Sequence, residues 1–452
     1  MPKKNSIHTV TIDDINNLGF GVGRIDGKVV FVGGTADGDT ARVKIIKDTK
    51  DYSVARVEEI LSPSPYRIPA DCRSVGCGGC AYRCVDYRHE LALKRHWVEK
   101  EFKKAGLSLP IAEVLHTESQ AAYRNKAQYP VAAGKDGLTV GFFAPKSHRV
   151  VEAVDCALLP PLFGKIANVV RRHAEAFGIA PYEEETKKGT LRHIYIRSSK
   201  GQEEVLLTLV VTKGDYPHKE ALIKELTETF PMLVGVVLNE NPKDTNVILG
   251  DVYHTLWGRP YLFDILCGVK LKIAPAAFYQ VNHDACELLY RKARELSDLS
   301  GDEVLLDLYC GIGSIGLSMA KDCRRLFGVE IVKEAIDCAR ENADLNGIQN
   351  ATFRVGDATD VGLFLQEEGI TAPDVIILDP PRKGADTHLL DTILSLAPKK
   401  LVYISCNPAT LARDVAYLTK GGMTAGEVTP VDLFPRTGHV ESLVCLERIK
   451  PR

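Results

Sequence analysis

Nowhere in this chain do ~18 apolar residues run together, so a membrane-spanning helix is not expected. The opening residues also lack the unbroken apolar stretch of a secretory signal, and the cytoplasm is the expected compartment. Excess charge is missing as well. The 57 Lys and Arg face 59 Asp and Glu, a formal net charge of -2, so bulk charge does not announce a nucleic-acid partner. RNA binding would have to come from local patches. Internal repeats and low-complexity segments are absent too. What is present is a globular composition, 45% hydrophobic and 26% charged over 452 residues. That length suits about three domains. In a reducing compartment a disulfide framework is not expected, so the 12 cysteines read as free, catalytic or metal-bound.

Three regions differ in pattern. Residues 1–61 hold short β-rich runs, His8 to Ile12, Lys28 to Val32, Thr40 to Ile46 and Val54 to Leu61. Gly19-Phe20-Gly21-Val22-Gly23, Gly33-Gly34 and Asp37-Gly38-Asp39 separate them, which reads as a small β-barrel. Ser62-Pro63-Ser64-Pro65 is a linker by composition. A mixed α+β central domain follows over 62–265, with a cysteine cluster and a charged helix near His89 to Lys104. From 266 to 452 strands alternate with helices, the pattern of a parallel α/β domain.

The first chemical motif lies in that last region. The buried-strand run Glu303 to Cys310 opens onto Gly311-Ile312-Gly313-Ser314-Ile315-Gly316, ahead of a helix pattern. The glycines let the backbone approach a ligand. Read literally, the string fits a dinucleotide fingerprint, with Glu330 ending the next apolar run where it can hold ribose hydroxyls. Asp307 inside the first strand and Asp379-Pro380-Pro381-Arg382 ending the fourth instead resemble S-adenosylmethionine-dependent methyltransferases. The ordered set Asp307, Gly311, Gly313, Glu330, Asp357 and Asp379 carries that resemblance, which implies a Rossmann-like class I methyltransferase domain.

Cys406 follows the apolar run Leu401 to Ser405 and precedes Asn407-Pro408, which cannot continue a strand. A thiol is thereby set at the carboxyl edge of the sheet, the edge that carries Asp379, and is a candidate nucleophile. Arg382 stands near enough in sequence to Asp379 to favour its thiolate. Amino-group methylation of adenine usually accompanies Asn/Asp-Pro-Pro-aromatic, whereas the fourth residue here is Arg382.

Together these motifs resemble the RNA uracil-5-methyltransferase family over nearly the whole chain. The resemblance rests on the barrel, the cysteine cluster, Phe278-Tyr279-Gln280-Val281-Asn282, Asp307-Leu308-Tyr309-Cys310-Gly311, Asp379-Pro380-Pro381-Arg382, Ser405-Cys406-Asn407-Pro408 and His439-Val440-Glu441-Ser442. It implies a TRAM-type (OB-like) barrel and Cys406 adding to carbon 6 of uracil. It also implies Glu441 as the base that removes the carbon 5 proton, on a final strand antiparallel to the rest. Gln280, Tyr309, Glu330 and Asp379 match its S-adenosylmethionine contacts.

The segment Cys72-x4-Cys77-x2-Cys80-x3-Cys84 gathers four soft ligands in one glycine-rich loop. Spacing alone makes these four a complete set that tetrahedral zinc would satisfy. The resemblance implies instead a [4Fe-4S] cluster on Cys72, Cys77, Cys80 and the remote Cys156, with Cys84 as the alternative ligand. The first gap here is a residue shorter than the family's usual one. Cys267, Cys286, Cys310, Cys323, Cys338 and Cys445 read as packing.

Local cationic patches suit RNA phosphates: Arg124-Asn125-Lys126, the stretch Lys187, Lys188, Arg192, His193, Arg197, and the helix bearing Arg88, Lys94, Arg95, Lys100, Lys103 and Lys104. Each is equally readable as a solvated face. A uracil in structured RNA must be rotated out to be attacked. Phe278 and Tyr279 are candidate stacking partners, with core packing the commoner role for a residue like Phe278. The expected substrate is a uridine of 23S ribosomal RNA, with the tRNA T-loop uridine second. No obligate protein partner is evident, and a monomer is expected.

Overall fold

A computed structural model describes residues 2–448 except 71 and 75. Its N-terminal unit is a closed five-stranded barrel of β1 (Ile7–Ile15), β2 (Phe20–Ile25), β3 (Lys28–Gly33), β4 (Thr40–Asp48) and β5 (Tyr52–Ser62), in the order β1-β2-β3-β5-β4. The glycine stretch expected to separate strands is in fact β2. A Cβ on Gly21 would collide with the Thr35 hydroxyl and one on Gly23 with the Thr11 carbonyl. Glycine is required there by close packing inside a narrow barrel rather than by a turn.

After the barrel comes the charged helix, α1 (Tyr87–Lys104), capped by Asp86, whose side chain accepts from the Arg88 and His89 amides. Its buried stripe is Glu90, Lys94, Val98 and Phe102, spaced four residues apart. Val98 and Phe102 join the core of the C-terminal sheet, and Ile111 and Leu115 bridge to that sheet's edge at Val428 and Val431. The helix expected in the central domain therefore packs on the α/β domain.

The central sheet runs β12-β11-β10-β9-β6-β7-β8. It is built from β6 (Lys126–Ala133), β7 (Leu138–Phe143), β8 (Val150–Glu152), β9 (Leu191–Ser198), β10 (Val205–Val211), β11 (Leu233–Glu240) and β12 (Val252–Gly258). Helices α2 (Pro161–Ala176) and α3 (Lys219–Thr229) cover one face. A hairpin follows, β13 (Leu262–Leu266) and β14 (Val269–Ile273), whose Leu262, Leu266, Leu271 and Ile273 enter the C-terminal core. The expected boundary at 265/266 falls inside β13.

The C-terminal sheet has the order β17-β16-β15-β18-β19-β21-β20. Its strands are β15 (Val304–Leu308), β16 (Arg325–Glu330), β17 (Ala351–Val355), β18 (Val375–Leu378), β19 (Lys400–Ser405), β20 (Met423–Val431) and β21 (Glu441–Arg448). Six helices flank them: α4 (His283–Ser297), α5 (Ser314–Met319), α6 (Lys333–Leu345), α7 (Val361–Glu367), α8 (Thr387–Leu396) and α9 (Pro408–Lys420). Strands β15 to β19 pair parallel, while β21 is antiparallel to both β19 and β20. Chain order reverses direction between β15 and β18, which opens a crevice at their carboxyl ends. Among the described residues no helix is long and apolar enough to cross a membrane.

Candidate active site

Asp307 is wholly buried in β15, and its Oδ2 accepts the Gly316 amide at 2.9 Å. A side chain on Gly316 would sit 2.7 Å from that oxygen, so glycine is needed for the turn to close on the strand. Beyond the strand, Tyr309, Gly311 and Gly313 take left-handed φ values of 61°, 54° and 79°. A Cβ on Gly311 would meet nothing, so the turn faces open space. Glu330 ends β16 and accepts from the Gly311 amide at 3.2 Å and the Val332 amide at 3.0 Å. Beside it Ile331 is 62% exposed, an apolar side chain next to the crevice that no motif in the sequence marks. Asp357 caps the short turn after β17 through Thr359, whose hydrogen bonds hold its carboxyl below the usual range. The other Asp307 oxygen is buried with no partner in the protein. That orphan acceptor, the bare Gly311 turn and the Glu330 carboxylate fit a polar, cationic nucleoside-like ligand.

Cys406 and Glu441 meet through strand register. β19 pairs with β21 so that Ser405 faces Ser442, and the next position on each strand is Cys406 and Glu441. Asn407 caps α9 with Pro408 at its first position, which ends β19 and leaves Cys406 on the junction. Asp379 follows β18 at the same edge, and Arg382 lies within electrostatic reach of both Cys406 and Glu441.

Burial dominates the electrostatics. The Cys406 thiol is pushed up to about 11 by desolvation, then by the Glu441 and Asp379 carboxylates, with Arg382 pulling the other way. The expected thiolate-favouring effect of Arg382 is real in direction and too small to win. Desolvation also raises Glu441 to about 8, reinforced by Asp379 and opposed by Arg382. Asp307 and Asp379 are each raised to about 7, mainly by burial.

These three carboxyls hold protons more tightly in the folded chain than in the unfolded one, where such groups titrate near ~4. Their contribution to stability is complete below about pH 4 and is lost as pH rises through the folded values. The melting temperature of the ligand-free protein is expected to fall between about pH 5 and pH 8, and Glu441→Gln to flatten the upper part of that fall. A wild-type profile that rises over this range would contradict the buried-carboxyl account.

Gln280 is buried, its backbone carbonyl accepting the Asn125 side-chain amide at 2.8 Å. Arg124 bridges to Asn282 and the Asn125 amide donates to the Val281 carbonyl, so Arg124 and Asn125 are zipped onto the Phe278–Asn282 segment, while Lys126 opens β6 opposite Arg197 of β9. Lys126 is pulled down to about 8 by burial and by Arg197 and Arg124. Phe278 is 68% exposed, while Tyr279 is buried with its hydroxyl on Asp264 at 2.9 Å. The expected roles are reversed: Phe278 is not core, and Tyr279 has no free face.

Other expected RNA contacts are spent elsewhere. The Arg192 guanidinium is buried, donates to the Asn241 and Lys243 carbonyls, and lies over the Tyr182 ring. Burial and Arg192 lower His193 to about 4, so it is neutral near pH 7. Arg197 is buried against Tyr195 and the Ala277 carbonyl. On α1, Lys94 is buried between Glu90 and Asp432, at 2.7 and 2.8 Å. It cannot reach a phosphate.

In the cysteine segment, Cys80 lies within electrostatic range of Cys77 and Cys156, and Cys156 within range of Cys77 and Cys72. Arg124 adjoins Cys80 and Cys156. Cys84 points elsewhere, into a small apolar cluster with Ile15, Ala36, Tyr82 and Val85, beside Arg67 and Asp39. Among the described residues no three metal-donor side chains are already drawn together as a ligand set. Cys72, Cys77, Cys80 and Cys156 thus share one neighbourhood, from which Cys84 is turned away.

The fold and crevice are those of a class I, S-adenosylmethionine-dependent methyltransferase. Residues 269–449 match the family described as tRNA (Uracil-5-)-methyltransferase, and residues 3–57 match the TRAM domain. An uncharacterized RNA methyltransferase of Listeria monocytogenes is 42% identical over 446 residues, covering 98% of each chain. One from Halalkalibacterium halodurans is 40% identical over 447 residues, covering 98% of this chain and 97% of the other. Among solved structures, the Pyrococcus abyssi tRNA (uracil-54, C5)-methyltransferase in complex with S-adenosyl-L-homocysteine superposes with a TM-score of 0.80 at 26% identity, over 97% of this chain and 99% of that one. This chain belongs to the RNA uracil-5-methyltransferase family and is an S-adenosylmethionine-dependent RNA methyltransferase with an N-terminal TRAM domain.

Proposed function

We propose that this enzyme methylates carbon 5 of a uridine in 23S ribosomal RNA, acting as a single chain in the cytoplasm. The observation that carries the catalytic reading is the β19–β21 register, which sets Cys406 and Glu441 side by side at the carboxyl edge. Uracil carbon 5 is too weak a nucleophile to attack a sulfonium methyl unaided. Cys406 gives up its proton to solvent and the resulting thiolate sulfur adds to carbon 6, forming a C–S bond as the carbon 5–carbon 6 double bond opens into an enolate whose charge reaches carbon 5. Bound in the crevice, S-adenosylmethionine supplies the electrophilic methyl group. Asp307, Tyr309, Gly311, Gly313, Glu330, Asp357, Asp379 and Gln280 line or support that site. Glu441 then takes the proton from carbon 5, the double bond re-forms, and the C–S bond breaks to return Cys406.

Arg124, Lys126, Phe278 and Arg382 flank the crevice and are proposed to receive the flipped uridine and its phosphates. We propose three functional units, the barrel to Ser62, the central sheet, and a catalytic unit that takes in both α1 and the β13–β14 hairpin. A tRNA T-loop uridine is the second reading, favoured by the substrate of the Pyrococcus abyssi relative.

The test is to incubate the protein with methyl-labelled S-adenosylmethionine and full-length 23S or tRNA transcripts, digest, and look for labelled 5-methyluridine. Label in 23S transcripts alone is expected. Label in tRNA alone would replace the target, and label in neither would sink the reading.

We further propose that Cys72, Cys77, Cys80 and Cys156 hold a [4Fe-4S] cluster that shapes the RNA-facing loop, since methyl transfer needs no net electron flow. Anaerobically purified Cys156→Ser is expected to lose bound iron and sulfide, while Cys84→Ser retains both. The opposite pattern would restore the purely local ligand set, and zinc in place of iron would replace the cluster.

A further inference from the structure

The loop that leads into Glu441, Asp432 to Val440, is held largely by the cysteine segment and α1. Arg436 is the focus. Its carbonyl accepts two amides, Ala81 at 2.8 Å and Tyr82 at 3.2 Å, the pair that directly follows Cys80. Its own amide donates to Glu90 Oε1 at 2.8 Å. The guanidinium donates to the Val85 carbonyl at 2.8 Å and to Glu90 Oε2 at 3.3 Å, and lies over the Tyr87 ring. Around it Lys94 donates to the Phe434 carbonyl and the Asp432 carboxylate, and Tyr123 donates to the Pro435 carbonyl. Two residues further on, Gly438 packs on the Asn17 carbonyl of the barrel too closely for any side chain.

Arg436 also has a φ of 69°, a left-handed conformation that a residue with a Cβ adopts only when its surroundings impose it. The loop's path is therefore set from outside the catalytic sheet, and most directly by where Ala81 and Tyr82 sit. Glu441 opens β21 five residues later.

We propose that Arg436 is a positioning residue that registers Glu441 to the cysteine segment, so that the geometry of that segment governs removal of the carbon 5 proton. The proposal rests on Glu441 being the base. It makes the cysteine segment part of the second half of the reaction, after the methyl group has moved, and not of the first.

The two halves are separable at the covalent Cys406–RNA adduct. Formation of the methylated adduct needs Cys406 and the methyl donor, whereas its decay to product needs the base. Arg436→Gly keeps the left-handed backbone accessible without strain but removes the whole side chain, with its bonds to the Val85 carbonyl and Glu90 and its packing on Tyr87, so the backbone contact to Ala81 and Tyr82 loses its anchor. In single-turnover reactions resolved on denaturing gels, adduct formation by Arg436→Gly is expected to stay within about twofold of wild type. Its decay is expected to slow about tenfold to a hundredfold, the scale of an ångström-sized misplacement of a catalytic group. Arg436→Lys, which keeps a cation facing Glu90, should recover part of the decay rate.

Unchanged decay, or formation and decay falling together, would overturn the proposal. Glu441→Gln is run alongside. If it stalls at the adduct and Arg436→Gly does not, the positioning role alone fails; if it turns over normally, the base assignment fails and this proposal with it. Should Arg436→Gly lack a cooperative melt, Arg436→Gln is read by the same split.

Discussion

Cys406→Ala is expected to lower methyl transfer to RNA by on the order of 10⁴-fold or more, the scale seen when an enzyme loses its covalent nucleophile. The size follows from the chemistry. Without sulfur on carbon 6 there is no enolate, and the other groups at the edge can position substrates without making carbon 5 reactive. The thiol stands at a strand–helix junction and is only partly buried, so alanine removes little packing and the variant should fold. An RNA carrying 5-fluorouridine at the target separates this from a binding defect. Fluorine cannot leave as a proton does, so wild type should accumulate a gel-stable adduct and Cys406→Ala none. Equal adduct in both would assign the nucleophile to another group.

Lys94→Met should destabilise the protein by about 3–5 kcal/mol, the range for removing one partner of a buried ion pair. The side chain volume is nearly kept, so the loss is electrostatic. Glu90 and Asp432, both fully buried, would face one another with Arg436 on Glu90 and the Tyr87 hydroxyl and Phe434 amide on Asp432. Burial already raises the Glu90 carboxyl, and Lys94 is the largest influence holding it down. Without Lys94 its proton affinity climbs further, so the defect in chemical denaturation should be larger near pH 8 than near pH 5. A loss below about 1 kcal/mol at both values, typical of a surface pair, would show that the network is solvated.

Much of the catalytic half is legible in sequence because its signals are local. Val304 to Leu308, Val375 to Leu378 and Leu401 to Ser405 are unbroken buried runs, and each is followed at once by a residue of the crevice, Tyr309, Asp379 or Cys406. What misled was set by distant partners. Gly21 and Gly23 look like turn residues until the barrel closes and shows the atoms pressed against them. Lys94 looks like a surface cation because its partner Asp432 is 338 positions away. Phe278 and Tyr279 are neighbours of similar character, and only Asp264 decides which is buried. Spacing ranks Cys84 with its neighbours, yet the end of the loop turns it toward Ile15 and Ala36. Arg192 and Arg197 look like cations for phosphate, yet the carbonyls that occupy them lie in other segments.

Strand β21 lies between β19 and β20, each of which precedes it in the chain. A ribosome therefore releases the nucleophile and both flanking strands before the strand that joins them. A product interrupted before Glu441 lacks the wedge that closes its own sheet as well as the base, so it is a poor fold and a target for proteolysis.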